Sequence, residues 1–323
     1  MSDLDTTPSE IPCAAGPATP AVQVLPPRLV PLGGPRAMTV RRALPSRQRT
    51  LIGAWCFVDH YGPDDVAETG GMVVAPHPHT GLQTVSWLFT GEVEHRDSAG
   101  NEALVRPGEL NLMTAGRGIS HSENSTPAAT VLHGAQLWVA LPDAARDTDP
   151  GFDHYAPDAV QGPGYEARVF LGSLLGSVSP VATHTPLLGA ELVLAAEAEV
   201  VVPVPPDHEL GVLLDTGSLT VDGTPLQPAD LGYLAPGRDA LRLRAGSDGA
   251  RLLLLGGPPF GEEIVMFWNF IGRDHDEIVG YRDAWQAQVA GGRDAPGRFG
   301  VVAGDQERIP APELPNVRLR RRS

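Results

Sequence analysis

One stretch of this chain occurs twice. Arg106-Pro107-Gly108-Glu109-Leu110-Asn111-Leu112-Met113-Thr114-Ala115-Gly116-Arg117 and Gln227-Pro228-Ala229-Asp230-Leu231-Gly232-Tyr233-Leu234-Ala235-Pro236-Gly237-Arg238 keep step at a constant separation of 121 residues, from Pro107 and Pro228 to Gly116 and Gly237. Upstream, Leu88-Phe89-Thr90-Gly91 answers to Leu214-Asp215-Thr216-Gly217 at a separation of 126, so the second copy has a hairpin shorter by about five residues. A repeat of this length is a duplicated domain, not the short unit of a solenoid. At 323 residues the chain can give two such domains cores of their own.

The punctuation of the sequence says what each copy folds into. Glycine (37) and proline (32) cut the apolar segments into short runs, which favours strands joined by turns over a helical bundle. Met38-Thr39-Val40-Arg41-Arg42 alternates, Leu51 to Val58 reads as a buried strand, and Thr84 to Phe89 as a third. A hairpin opens at Thr90-Gly91, runs to Asp97 and closes through Ser98-Ala99-Gly100-Asn101. One helix is expected near the end. Asp274 followed by Glu277 resembles a capping box, and Ile278, Tyr281, Trp285 and Val289 recur along one helical face. Residues 1–26, rich in Pro, Ala and Thr, are expected to be a disordered arm.

Charge and composition remove several function classes. A net charge of −15 argues against a general nucleic-acid binder. The chain has no lysine, which excludes Schiff-base and pyridoxal phosphate chemistry and a P-loop. No apolar run is long enough to span a membrane, and the acidic start Met1-Ser2-Asp3-Leu4-Asp5 is not a secretory signal. Only Cys13 and Cys56 occur, with Cys13 in the arm, so a reducing, cytoplasmic setting is expected and a structural disulfide is not. Arg318, Arg320, Arg321 and Arg322 read as a solvated basic tail.

Two pairs of metal-binding side chains share one spacing. They are His77-Pro78-His79 and His121-Ser122-Glu123. In a strand, residues two apart point to the same face, so each pair can aim two ligands into one space. If the strands are neighbours in a barrel, three imidazoles and a carboxylate converge. Pro76 and Pro78 each lack a backbone donor, so the first strand should lie at a rim or edge. This mixed N/O set suits one divalent ion such as Fe(II), Mn(II), Ni(II) or Cu(II) better than structural zinc. Glu123 could also serve as the base that deprotonates a bound substrate.

These stretches resemble the pirin family, a branch of the cupin superfamily. The matching segments are Arg41-Arg42-Ala43-Leu44-Pro45, Val58-Asp59-His60-Tyr61-Gly62-Pro63, Pro76 to Gly81, Glu94 to Asn101 and Met113 to Glu123, with a weaker match from Gly257 to Gly300. The resemblance implies an all-β chain of two stacked cupin-type barrels, a bicupin with a short C-terminal helix, and a single metal held by His77, His79, His121 and Glu123. Iron is the ion usually assigned in the family, with Mn, Ni, Cu or Zn as alternatives. Family members are either quercetinases, which open a flavonol ring with dioxygen, or non-catalytic metal-dependent partners of a regulatory protein or metabolic enzyme. The expected ligands are therefore a small aromatic or enediol substrate or a protein partner, without nucleic acid or membrane.

The expected organisation is an arm (1–26), a metal-binding barrel (27–150), a second barrel (151–257), a helical segment (258–300) and a tail (301–323). Adding the repeat length to His121 and Glu123 lands on Arg242 and Arg244, which cannot ligate a metal, and only His208 lies near the place of the first pair. The second barrel should hold no metal and serve a structural or interfacial role. His95 reads as solvated or structural, His60 as making structural hydrogen bonds, and Met113 and Trp87 as core. His133, His154, His184 and His275 carry no spacing signal.

Overall fold

The computed structural model describes residues 22–31 and 39–322. The first half supplies β1 (Gln23–Leu25), β2 (Arg28–Pro31), β3 (Thr39–Leu44), β4 (Trp55–Asp65), the one-turn helix α1 (Val66–Thr69), β5 (Val73–His79), β6 (Leu82–Thr90), β7 (Val93–Asp97), β8 (Glu102–Val105), β9 (Leu110–Thr114), β10 (Ile119–Ser125), β11 (Val131–Ala140) and β12 (Gly151–Tyr155). The second half supplies β13 (Val160–Gly162), β14 (Tyr165–Leu171), β15 (Ser173–Leu174), β16 (Ser177–Val178), β17 (Leu188–Leu194), β18 (Glu199–Pro203), β19 (Glu209–Val221), β20 (Thr224–Leu226), β21 (Leu231–Leu234) and β22 (Ala240–Gly257). A hairpin of β23 (Val265–Phe267) and β24 (Phe270–Gly272) leads into α2 (His275–Ala290).

The all-β, two-barrel expectation holds. In the first barrel the sheet β12-β9-β6-β11-β4-β3-β2 faces the sheet β5-β10-β7-β8. The second is built on β1-β21-β19-β22-β17-β14-β13, with β18 on β22 and β20 on β19. The barrels pack through a shared apolar layer that includes Trp87, Leu112, Leu137, Phe170, Leu213 and Leu253. Trp87 and Phe170 meet there with ring centres 4.5 Å apart, and the indole N–H donates to Glu191 at 3.1 Å. Among the described residues no helix is long and apolar enough to cross a membrane.

Four expectations need correction. The arm does not extend to residue 26: Gln23–Leu25 pairs with β21, Leu25 opposite Leu231, and Leu25 is buried. It covers an edge that would otherwise present unpaired backbone groups, and it gives a segment from outside the expected boundaries to the second barrel. Residues 1–21, with Cys13, and Met38 lie outside the described residues. The strand expected from Leu51 starts only at Trp55, after a tight turn in which Ile52 and Trp55 exchange both backbone hydrogen bonds. Gly53 takes φ +52 there, and a Cβ would stand 2.8 Å from the Gly257 Cα, so the close approach of β22 requires glycine.

The helix cap is as expected at Asp274, whose side chain accepts from the Asp276 and Glu277 N–H groups. Glu277, however, does not complete a capping box. It accepts instead from the Arg273 N–H and from Arg146. The expected face packs as one cluster, Ile278, Tyr281 and Trp285 buried and Val289 partly so, and the Gln288 side chain is buried beside it and accepts from the Phe299 N–H. Finally, the tail arginines are solvated as expected, but the backbone of the tail is docked on the fold. Ile309 N–H donates to the Pro76 carbonyl at 2.9 Å, Arg308 is buried against Gln288 and Ala295 carbonyls, and Arg322 exchanges both backbone bonds with Ile264. Arg318 pairs with Asp276.

Candidate metal centre

β5 and β10 are adjacent and antiparallel, with His77 opposite His121 and His79 opposite Ile119. β5 is an edge strand of its sheet, as Pro76 and Pro78 require. The register shifts between His121 and Glu123, so that Glu123 pairs with Val74. The side chains of His77, His79, His121 and Glu123 all line one cavity of about 430 Å³. Each is at most 7 % exposed.

The three imidazoles are arranged around a point. Their ring centres are 4.3 Å (His77 to His121), 4.9 Å (His79 to His121) and 5.0 Å (His77 to His79) apart. The Nε2 atoms of His79 and His121 are separated by 3.0 Å. Two ligand bonds of about 2.1 Å at right angles span about 3.0 Å, so the spacing fits two neighbouring ligands of one ion. His77 donates its Nδ1–H to the Ala75 carbonyl at 2.9 Å, which leaves Nε2 with its lone pair free. Glu123 stands slightly apart: its carboxylate lies within 4.8 Å of His121 and His95, and Ser86 Oγ is 3.4 Å away.

Electrostatics favours a cation here. Burial holds His77 down to about 4, and pushes His79 and His121 well below the usual imidazole range. All three are thus neutral donors at ordinary pH. Burial raises Glu123 above the usual carboxylate range. No arginine pairs with it among the described residues, so a buried carboxylate lacks a protein countercharge. A divalent ion would supply that charge.

One wall of the cavity is aromatic. Phe57 and Trp138 stack at 4.0 Å with planes 12° apart, and Trp138 meets His79 edge-on at 5.2 Å. Arg42 lies over Phe57 at 4.2 Å and is held by both oxygens of Asp59. The roof comes from far along the chain: Phe267 and Trp268 of the β23–β24 hairpin, and Ile309. This hairpin is tied beside the ligands, because the Ile271 N–H donates to the Thr80 carbonyl at 3.0 Å. Gly81 has φ +68, and any Cβ would lie 2.4 Å from the Ile271 carbonyl oxygen.

His95 adjoins the candidate ligands, and of its two readings, solvated or structural, the solvated one does not hold. It is buried, with Nδ1 3.3 Å from His121 Nδ1 and Nε2 3.3 Å from Asp97. The missed signal was a third pair at the same spacing, His95-Arg96-Asp97, on β7 beside β10.

A different trio, His60, His133 and Asp215, also brings ligand atoms together. Here Asp215 accepts from His60 at 2.6 Å and from Arg251 at 2.5 Å, and His133 Nε2 stands 2.7 Å from it. Arg41 donates to His60 Nδ1 at 3.1 Å, so Nε2 must carry the proton and faces the carboxylate as a donor. With arginines on two sides, this is an ion-pair lock between the barrels.

The second barrel departs from simple addition of the repeat length. Arg242 and Arg244 lie on its outside, paired with Glu199 and Glu197. The residues facing in are Val200, Val202, Leu241 and Leu243, with Val200 opposite Leu243 and Val202 opposite Leu241. A one-residue slip has exchanged the faces. His208 lies after a turn between β18 and β19, and the interior of this barrel is aliphatic.

Comparison with known proteins agrees with this architecture. Residues 37–139 match the Pirin family model, and residues 189–291 match that of the Pirin C-terminal cupin domain. A Pseudomonas aeruginosa protein named "Putative quercetin 2,3-dioxygenase" is 45 % identical, with 89 % of each chain covered. A pirin-like protein of Caulobacter vibrioides is 35 % identical over 77 % of this chain and 88 % of its own. The crystal structure of a quercetin 2,3-dioxygenase from Acinetobacter baumannii superposes with a TM-score of 0.85 at 39 % identity, covering 92 % of this chain and 97 % of that one.

Proposed function

This chain belongs to the pirin family, and on that footing we propose that it is a metal-dependent dioxygenase of the quercetinase type, opening the ring of a flavonol-like or enediol substrate in the cytoplasm. The proposed ligands are His77, His79, His121 and Glu123, and the proposed ion is Fe(II). The observation that carries the reading is the cavity itself: about 430 Å³, with the four candidate ligands at its base and a stacked aromatic wall beside them. That volume lies within the range of small-molecule sites, which are commonly about 300–1,000 Å³.

When bound, the metal supplies a Lewis-acidic, redox-active centre. The protein's own groups do the rest. Phe57 and Trp138 offer a flat apolar surface to a planar ring. Glu123 takes the hydroxyl proton of the substrate on a carboxylate oxygen, and its raised proton affinity suits that task. Ser86 Oγ lies 3.0 Å from Gln136 Oε1 and 3.4 Å from the Glu123 carboxyl, and its single proton serves one of the two at a time. Phe267, Trp268 and Ile309 narrow the entry and exclude water.

The test is loss of flavonol absorbance under air by protein of known metal content, compared with Glu123→Gln. Turnover by the parent protein and its loss in a metal-loaded variant support the reading. Full metal with no turnover on quercetin or smaller enediols overturns it, and would turn attention to the metal-dependent partner of a regulatory protein or metabolic enzyme.

A further inference from the structure

Asp97, His95 and His121 form a buried chain that ends at the metal position. His121 presents Nε2 to His79 Nε2 at 3.0 Å and Nδ1 to His95 Nδ1 at 3.3 Å. His95 presents Nε2 to Asp97 Oδ2 at 3.3 Å. The other Asp97 oxygen accepts from the Ala99 N–H, the Asn101 N–H and the Asn101 amide, at 2.9, 3.0 and 3.1 Å, and the Asn101 amide also reaches Oδ2 at 2.9 Å. None of the three is more than 3 % exposed. Phe152 packs on the His95 ring at 4.8 Å.

A carboxylate only accepts, so His95 Nε2–H donates to Asp97. With His121 Nε2 turned to the metal position, the His121 proton sits on Nδ1 and is donated to the His95 Nδ1 lone pair. We propose that Asp97 and His95 are positioning residues that fix the tautomer of His121 and raise its donor strength by relaying the carboxylate charge through two rings. This rests on the reading of His121 as a ligand. His95 is not itself a ligand, although its nitrogen comes near those of His121 and Glu123, because both of its nitrogens are engaged elsewhere.

The experiment compares His95→Gln, His95→Phe, Asp97→Asn and Asn101→Ala with the parent chain. Metal affinity is measured by anaerobic Fe(II) titration, the midpoint potential of the bound iron by redox titration, and the His121 tautomer of the metal-free protein by ¹⁵N NMR. In His95→Gln the amide oxygen can still accept from His121, so affinity stays within about threefold. His95→Phe keeps the packing on Phe152 but not the acceptor. In Asp97→Asn the three turn donors claim the amide oxygen, so its NH₂ faces His95 and reverses the relay. Both of these weaken binding about 10–100-fold and raise the potential. Asn101→Ala removes a donor from each Asp97 oxygen and gives an intermediate loss of affinity.

Unchanged affinity and potential in His95→Phe and Asp97→Asn overturn the proposal. So does loss of metal in His95→Gln as complete as in His77→Ala, which would make His95 a ligand. If the parent chain binds no metal, the ligand reading fails by itself, and the NMR still decides the relay: a His121 proton on Nδ1 supports it, and one on Nε2 overturns it.

Discussion

His77 and His121 stand directly opposite each other on neighbouring antiparallel strands, with ring centres 4.3 Å apart. In the second barrel the same kind of pairing sets Val200 opposite Leu243, both buried in an aliphatic interior. One architecture thus serves two purposes. The first barrel keeps polar side chains inside, among them the candidate metal ligands, and the second fills the space with apolar ones.

Metal binding should stabilise the first barrel measurably. At free Fe(II) about 100 times the dissociation constant, the gain is about 2.7 kcal/mol. Thermal unfolding should shift upward with Fe(II) and downward with a chelator. His77→Ala and His121→Ala should bind little metal by elemental analysis and show no such shift.

Glu123→Gln keeps an oxygen ligand but loses the base. We expect retained metal and turnover lowered about 10²–10⁴-fold. Oxygen uptake normalised to bound metal measures this, and an unchanged rate would remove Glu123 from proton transfer.

Trp268 roofs the cavity from a backbone position with φ +52. Trp268→Gly relieves the backbone and removes the ring, so folding should survive while substrate KM rises with a smaller change in kcat. Steady-state kinetics on quercetin separates the two parameters.

The inter-barrel lock makes acid destabilising. Burial lowers the proton affinity of His60, so the unfolded chain takes up its proton near pH ~6.5 before the folded one does. Stability therefore falls as pH drops below that value. Burial pushes Asp215 up, but the close contacts with His133, His60 and Arg251 outweigh it and hold the carboxyl low. Its contribution is present above about pH 3.9 and is lost as pH falls through the lower folded value. Urea midpoints should decline from pH 7 to pH 5 and further toward pH 3, and less steeply from pH 7 to pH 5 in His60→Gln. Asp215→Asn should cost about 3–5 kcal/mol at pH 7.

Much of the centre was legible because strand geometry is local. Side chains two residues apart share a face, so His77 with His79 and His121 with Glu123 declare themselves without knowledge of the fold. The rest depends on distant parts of the chain. Nothing near Phe57 says that Trp138 will stack on it, and nothing near Pro76 says that Ile309 will pair beside it. The repeat was visible, but the slip that turns Arg242 outward was not. A single extra residue between strands exchanges faces while leaving the motif spacing intact. His95 was readable in principle, since His95 and Asp97 repeat the ligand spacing on the adjacent strand.

The central claim is tested most directly by oxygen uptake in the presence of quercetin, using anaerobically purified protein whose metal content has been determined. The expected result is close to one iron per chain and uptake proportional to bound metal, abolished by His121→Ala. One metal per chain with no uptake would contradict a dioxygenase, and the absence of any bound metal would contradict the centre itself.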